Sequence, residues 1–429
     1  MIAKQLIDKK REGKALGSAE IREFIEGFTA GTIPDYQMAA MAMAICCRGM
    51  TDRETADLTE AMKKSGRSLT WDIPTADKHS TGGMGDKLSL IIQPIVAACG
   101  VATPSLTGRG LGFTGGTADK LEAIPGYNAS LSLDEFSKVV HEVGCSLTVQ
   151  TPEICPADKK LYALRDVTGT VASIPLIVGS ILSKKLAEGA HTLVFDVKTG
   201  SGAFMREQGD AETLATAMVN ASKASGRQSA ALVTDMNEPL GYAIGNANEV
   251  AEAIDILRGK DIYFETELCL KFATLMLELE KGITAEEARK EALEALNSGK
   301  AYEVFEKMVE AHGGSLTALN KKLAGPVYKF TLQAPKSGYI ANIEAMTCGK
   351  VSLQLGGGRA QAGDKIDDLA GINLHVMHGD RVKVGDALAT MTCSTEPGVL
   401  EKNAAELLKA FTIVSEKPAE RVMVYKEIR

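Results

Sequence analysis

Lys78-His79-Ser80-Thr81-Gly82-Gly83-Met84-Gly85-Asp86-Lys87-Leu88-Ser89, followed after an apolar run by Thr107-Gly108-Arg109-Gly110-Leu111-Gly112-Phe113-Thr114-Gly115-Gly116-Thr117, decides the fold. Each half is a glycine-rich turn set with hydroxyls and a base. Between them lie one predicted helix, Leu88 to Ala98, and one predicted strand, Val101 to Leu106. Glycine lacks the Cβ that keeps a ligand off the backbone, so successive N–H groups can converge on an anion. Lys78, Ser80, Ser89, Thr107 and Thr117 add side-chain donors, and the positive N-terminal end of the helix favours a phosphate. No Gly-x-x-x-x-Gly-Lys-Ser/Thr occurs, so this is not a P-loop. Gly110 to Gly115 matches Gly-x-Gly-x-x-Gly, but no second strand ending in an acidic residue follows at the distance a ribose needs.

Working outward, short apolar strands (Cys145 to Gln150, Leu193 to Val197, Ala230 to Asp235) alternate with helices, one opened by the capping box Ser132-x-x-Glu135. That alternation predicts an α/β lobe with a mixed, mostly parallel sheet and ligands at the carboxyl ends of its strands. Upstream, the chain reads as an all-helical lobe. Ile21, Phe24, Ile25 and Phe28 mark one buried face, Met38 to Cys47 is apolar all round and so expected to be central, and Thr51-x-x-Glu54 caps a further helix. Residues 156–189 read as two successive helices broken around Thr168 to Ser173. On them Ile177, Ser180 and Lys184 share one side, Arg165 ends the preceding helix, and Lys185 reads as ordinary surface. Thr284-x-x-Glu287 caps another helix. From Val327, short strands and glycine turns such as Gly356-Gly357-Gly358-Arg359 resemble a barrel-sandwich of the lipoyl type. A biotin carrier needs a lysine after Ala-Met, and Ala345-Met346 is followed here by Thr347, so this part reads as structural. The expected division is a helical lobe over 1–66 and 156–189, an α/β lobe over 67–155 and 190–326, and a C-terminal α+β part over 327–429.

Composition bounds the function. With 429 residues, the chain needs two or three lobes. A net charge of -7 argues against non-specific nucleic-acid binding, which needs a basic surface. Cys46, Cys47, Cys99, Cys145, Cys155, Cys269, Cys348 and Cys393 form no C-x-x-C pair and read as buried, reduced thiols of a cytoplasmic protein. No signal peptide is read at the start, and the apolar run from Met38 is about half of what spans a bilayer. No membrane partner is expected.

At this point the residues carry a resemblance. Lys78 to Gly83, Gly108 to Gly112, Thr114-Gly115-Gly116-Thr117-x-Asp119-Lys120-Leu121-Glu122 and Ile124-Pro125-Gly126 resemble the signature of the thymidine and pyrimidine-nucleoside phosphorylases. The likeness continues in order through Pro156 to Lys160, Arg165 to Thr168, Ser173 to Leu176 and Asp196 to Met205, over essentially the whole length. It implies phosphorolysis of pyrimidine (deoxy)ribonucleosides to free base and (deoxy)ribose 1-phosphate. Strict thymidine/deoxyuridine phosphorolysis is the narrower alternative. A phosphoribosyltransferase of the related fold is the rival, and it should carry an acidic pair for magnesium, which the glycine turns lack.

The chemistry needs a held phosphate nucleophile, neutralisation of charge on the leaving pyrimidine, and exclusion of water. The resemblance assigns phosphate to Lys78, Ser80, Ser89, Thr107 and Thr117, with inorganic phosphate as co-substrate and no cofactor. Arg165, Ser180 and Lys184 would grip the base, and His79, with a near-neutral reference pKa, would protonate it. Leu111, Ile177 and Phe204 would line the substrate. His141, His191, His312, His375 and His378 read as structural. Hinges for lobe closure are expected at Gly66 to Thr75, Asp158 and Gly200 to Gly202, and a homodimer through the helical lobe. Three positions depart from the pattern: Phe113 stands where histidine is common, Ser105 where lysine or methionine stands, and Lys87 where a threonine helps hold a monovalent cation with a glutamate matching Glu252. The ammonium of Lys87 is therefore expected to reach Glu252 and replace that cation.

Overall fold

The computed structural model describes residues 2–110, 115–361 and 363–429. Four helices open the chain: α1 (Ala3–Arg11), α2 (Ser18–Ala30), α3 (Asp35–Arg48) and α4 (Asp52–Lys64). The predicted capping box closes at the start of α4, where Thr51 Oγ1 accepts from Glu54 N and Glu54 Oε2 accepts from Thr51 N at 2.9 Å. Ile21, Phe24, Ile25 and Phe28 are all buried. α3 differs from expectation: Met38, Met41, Ala42 and Ile45 are buried, whereas Tyr36, Met43, Cys46 and Cys47 are exposed. It lies at the edge of the bundle, so its second apolar face meets solvent, and two of the eight thiols expected to be buried are on the surface.

The α/β part runs β1 (Ala76–Ser80), α5 (Leu88–Ala98), β2 (Thr103–Thr107), α6 (Thr117–Glu122), α7 (Leu133–Val143) and β3 (Cys145–Val149). Two helices then return, α8 (Pro156–Thr168) and α9 (Ile174–Glu188). They pack on α2, α3 and α4, and Leu161 and Leu176 enter the bundle's core. The α/β order resumes with β4 (Thr192–Thr199), α10 (Gln208–Ala224), β5 (Gln228–Asp235), β6 (Ala243–Gly245), α11 (Ala247–Leu257) and α12 (Tyr263–Lys281), followed by α13 (Ala285–Asn297), α14 (Lys300–Ala311) and α15 (Leu316–Leu323). β1, β4 and β5 pair in parallel, and β2 with β3 likewise. Both faces of β4 are buried, against α5 and α12 on one side and α9 and α10 on the other, as a parallel sheet requires.

The C-terminal part contains β7 (Tyr328–Gln333), β8 (Gly338–Ile343), α16 (Ala345–Gln354), β9 (Gly371–Leu374), β10 (Arg381–Val382), β11 (Ala387–Cys393), α17 (Gly398–Leu408), β12 (Phe411–Val414) and β13 (Val424–Ile428). Its strands form two antiparallel sheets, β6-β9-β11-β7 and β10-β8-β12, over one apolar core. They do not close into a barrel among the described residues, and Ala345-Met346 begins a helix instead of a carrier hairpin. β13 leaves this part and adds antiparallel to the edge of β5. No described helix is long and apolar enough to cross a membrane.

Candidate active site

The pleat of β1 sorts the first motif onto two faces. Asp77 and His79 face α9: Lys185 Nζ lies 2.6 Å from Asp77 Oδ2, and His79 opens onto a cavity walled by Ile177, Ser180 and Ile181. Lys78 faces α12, its Nζ 5.4 Å from the centre of the Phe272 ring and 3.0 Å from Asp196 Oδ2. It is fully buried and lacks a hydrogen bond of good geometry, and Asp86 and Asp196 outweigh burial to keep it charged. A buried ammonium with unused N–H groups is poised for an anion.

Asp86 ties the motifs together. Ser80 Oγ donates to its Oδ2 at 2.5 Å, and Lys120 Nζ, from the helix after the second glycine turn, donates to its backbone O at 2.6 Å. Burial alone would raise the Asp86 carboxyl, but Lys78, Lys198 and Lys120 hold it well below the usual range. Gly85, at φ 69°, approaches the Leu240 carbonyl so closely that a Cβ would sit 2.3 Å from it, which is why glycine stands there.

The cavity, about 510 Å³, is shared by His79, Ser80, Arg165, Ile177, Ser180 and Phe204. Lys184 does not line it but stands behind Ser180, donating to Ser180 Oγ at 3.1 Å and to Asp158 Oδ2 at 2.5 Å. Arg165 spends part of its guanidinium on the carbonyls of Thr170, Val171 and Leu176, which fixes it in the break between α8 and α9, and its other donors are left for a ligand. The expected hinge residue Asp158 is buried and pinned by Lys184. Ser89, Thr107 and Thr117 fall at the start of α5, the end of β2 and the start of α6, and none of them lines the cavity. Leu111 and Phe113 lie outside the described residues.

His79 corrects one expectation. Burial, with Lys185, Lys184 and Lys78 around it, pushes its imidazole well below the ordinary value. At neutral pH it is an uncharged N–H donor, not an imidazolium.

Lys185 corrects another. It is buried, bonded to Glu188 Oε2 at 2.9 Å and to the Leu106 carbonyl at 2.8 Å, besides Asp77. Burial and Asp77 raise the Glu188 carboxyl well above its usual range. Ser105 joins the same buried knot through Gln93, not the cavity. Lys198, Asp196, Asp86, Tyr162, Arg206 and Met346 were also missed. The two-residue spacing of Asp196 and Lys198 inside an apolar strand was the signal available for that pair.

Lys87 reaches Glu252 as expected. Its Nζ lies 2.7 Å from Glu252 Oε2 and 3.1 Å from Glu265 Oε1, and donates to the Leu240 carbonyl at 2.9 Å. Glu252 also accepts from the backbone N–H groups of Tyr242 and Ala243. Among the described residues no group of three or more His, Cys, Asp or Glu is arranged for a metal. The five histidines expected to be structural all have structural partners, His312 stacking on Tyr127 and His378 pairing with Glu238 among them.

A helical bundle and a largely parallel α/β part border one cavity, and the family models that match these two parts make the chain an enzyme of a glycosyl transferase family. Residues 4–66 match the family model for the helical bundle domain of the glycosyl transferase family, residues 72–302 that for its a/b domain, and residues 339–413 the pyrimidine nucleoside phosphorylase C-terminal domain. The pyrimidine-nucleoside phosphorylase of Geobacillus stearothermophilus is 47% identical over 399 residues, 91% of this chain and 92% of that protein. That of Bacillus subtilis (strain 168) is 46% identical over 397 residues, 91% of this chain and 92% of that protein. The chain belongs to the thymidine/pyrimidine-nucleoside phosphorylase family. A crystal structure of anthranilate phosphoribosyltransferase from Thermus thermophilus shares the fold at 20% identity, with a TM-score of 0.59 over 73% of this chain and 99% of that one.

Proposed function

We infer that the chain carries out phosphorolysis of pyrimidine nucleosides, yielding the free base and a pentose 1-phosphate. The observation that carries it is one cavity shared by His79, Ser80, Arg165 and Ser180, with the buried ammonium of Lys78, paired with Asp196, on the other side of the same strand. Phosphate held by Lys78 and Ser80 attacks C1′ as the bond from C1′ to the base breaks. Arg165 and Lys184 face the charge that develops on the departing pyrimidine and stabilise it more than the neutral nucleoside. Neutral His79 donates its N–H hydrogen bond to the leaving base, and closure of the helical bundle on the α/β part excludes water. Ser89, Thr107 and Thr117 add hydroxyl donors to the phosphate site.

Two finer points belong to the same reading. Lys87 supplies a tethered positive charge among Glu252, Glu265 and the Leu240 carbonyl, so turnover is independent of potassium. The exposed stripe Tyr36, Met43 and Cys47 on α3 joins two copies through their helical bundles, in the cytoplasm.

The test is incubation with uridine, thymidine or deoxyuridine, with and without phosphate. Base appears only with phosphate. Release without it, or none with any of the three, overturns the reading. Addition of potassium leaves the rate unchanged.

A further inference from the structure

The wall of the cavity opposite α9 is the turn after β4, carrying Gly202, Ala203 and Phe204, together with Met346 at the start of α16. Inside this turn Gly200 N donates to the Met205 carbonyl at 3.2 Å and Ala203 N to the Gly200 carbonyl at 3.1 Å, and its remaining bonds tie it to the chain after β5. Ser201 donates its backbone N–H to Asn237 Oδ1 at 3.0 Å and its hydroxyl to the Asn237 carbonyl at 3.2 Å. Gly202 N donates to the Met236 carbonyl at 2.9 Å, and Ala345 N to the Asn237 carbonyl at 2.9 Å. Gly200, at φ 121°, lies so close that a Cβ there would be 2.7 Å from Asn237 Oδ1. Both pieces of the wall therefore rest on one short stretch, Met236-Asn237.

That stretch is fixed from behind. Asn237 Nδ2 donates to Asp235 Oδ1 at 2.6 Å. Asp235, buried at the end of β5, also accepts from Arg421 Nε at 2.7 Å and from the Tyr425 hydroxyl at 2.9 Å. Arg421 Nη2 adds a bond to the Glu238 carbonyl at 3.0 Å, and Glu238 itself holds His378, whose other nitrogen meets the Ala419 carbonyl at 2.8 Å. Arg421 and Tyr425 lie on the strap that leads into and forms β13, and neither lines the cavity.

We propose that Arg421 and Tyr425 are positioning residues for the nucleoside: through Asp235 and Asn237 they set the place of the Gly202-Phe204 turn and of Met346. The phosphate-side side chains are held elsewhere, Lys78, Ser80 and Asp86 by β1, Asp196 and Lys120, and only the turn backbone meets this stretch, where Met84 N lies 3.2 Å from Met236 Sδ. The proposal rests on the proposed phosphorolysis in this cavity, a reading that phosphate-dependent base release by the wild-type enzyme tests separately.

The experiment compares Arg421→Met, Arg421→Lys and Tyr425→Phe in the full chain, with KM measured for nucleoside and phosphate in turn. A wall displaced by a fraction of an ångström weakens a positioned contact substantially, so Arg421→Met raises the nucleoside KM about tenfold, leaving kcat and the phosphate KM within about twofold. Arg421→Lys, which keeps one charged N–H donor for Asp235, recovers about half of that loss on a logarithmic scale. Tyr425→Phe removes one hydroxyl and raises the nucleoside KM about threefold. Uracil binding measured by calorimetry weakens in the same order. An unchanged nucleoside KM in Arg421→Met and Tyr425→Phe, whatever happens to thermal stability, overturns the proposal. So does an equal rise in both KM values. Should Arg421→Met not fold, Tyr425→Phe decides alone.

Discussion

At the scale of single residues, neighbouring lysines on α9 have separate duties. Lys185 is enclosed with Asp77 and Glu188, and burial is outweighed by those two carboxylates, which push its ammonium up to about 12. Removing it leaves buried carboxylates uncompensated, so Lys185→Met lowers stability by about 3–5 kcal/mol, seen in thermal or urea unfolding. Lys184 is partly exposed and bonded to Ser180, and in the proposed reaction it faces the leaving base. Its loss strands Asp158, so Lys184→Met/Asp158→Asn is the cleaner variant, with turnover reduced about a hundredfold and a near-normal thermal midpoint. His79→Ala lowers kcat by about 10²–10³, the range for one lost hydrogen bond to developing charge. Because its imidazole is held neutral by burial and three lysines, phosphate entering beside Lys78 offsets that repulsion. Phosphate binding near pH 7 is then accompanied by proton uptake in the wild type, measured by calorimetry in buffers of different ionisation enthalpy, and less in His79→Ala. The separation of Lys78 from His79 onto two faces was legible only once Ala76 to Ser80 is read as a strand, which the glycine-rich turn expected there did not include. The burial of Lys185 was not, because it depends on β1 and β2 lying against α9, a long-range placement that no local pattern encodes.

At the scale of elements, the helix starts were the most legible features. Thr51, Ser132 and Thr284 each accept from the backbone N–H three residues on, as their capping boxes predict. The strands fell within two residues of their expected bounds, whereas the exposed side of α3 and the two open sheets of the C-terminal part depended on neighbours that sequence does not name. The junction of α5, α11 and α12 makes a pH prediction. Burial outweighs Lys87 and pushes the Glu265 carboxyl up to about 7, against 4.5 ordinarily. A raised carboxyl contributes stability that is fully present below 4.5 and is lost as pH rises through about 7. The thermal midpoint of the wild type therefore carries a downward slope across that window which Glu265→Gln removes, while Glu252 continues to pair with Lys87.

At the scale of the molecule, three chain segments cross between the helical bundle and the α/β part side by side, after α4, before α8 and after α9. Arg67 N donates to the Glu153 carbonyl at 2.8 Å and Leu69 N to the Ala187 carbonyl at 2.7 Å. At Gly66 a Cβ would stand 2.2 Å from the Glu153 carbonyl, so Gly66→Ala forces the crossings apart and destabilises by about 1–3 kcal/mol, with kcat falling as the two walls of the cavity lose alignment. Association is tested at the same scale: Met43→Asp places a charge in the exposed stripe of α3 and shifts the protein to monomer in sedimentation.

The alternation of Asp77, Lys78, His79 and Ser80 along β1 also constrains how this gene can change. A strand has a repeat of two, so a deletion of one residue in the crossing segment before it, if absorbed by sliding the strand, would exchange the two faces. The histidine would then be driven toward Phe272 and the lysine out toward Ser180. Such a chain could retain its parallel pairing with β4 and still have every reactive group inverted, which makes the length of that linker as much a part of the chemistry as the residues it delivers.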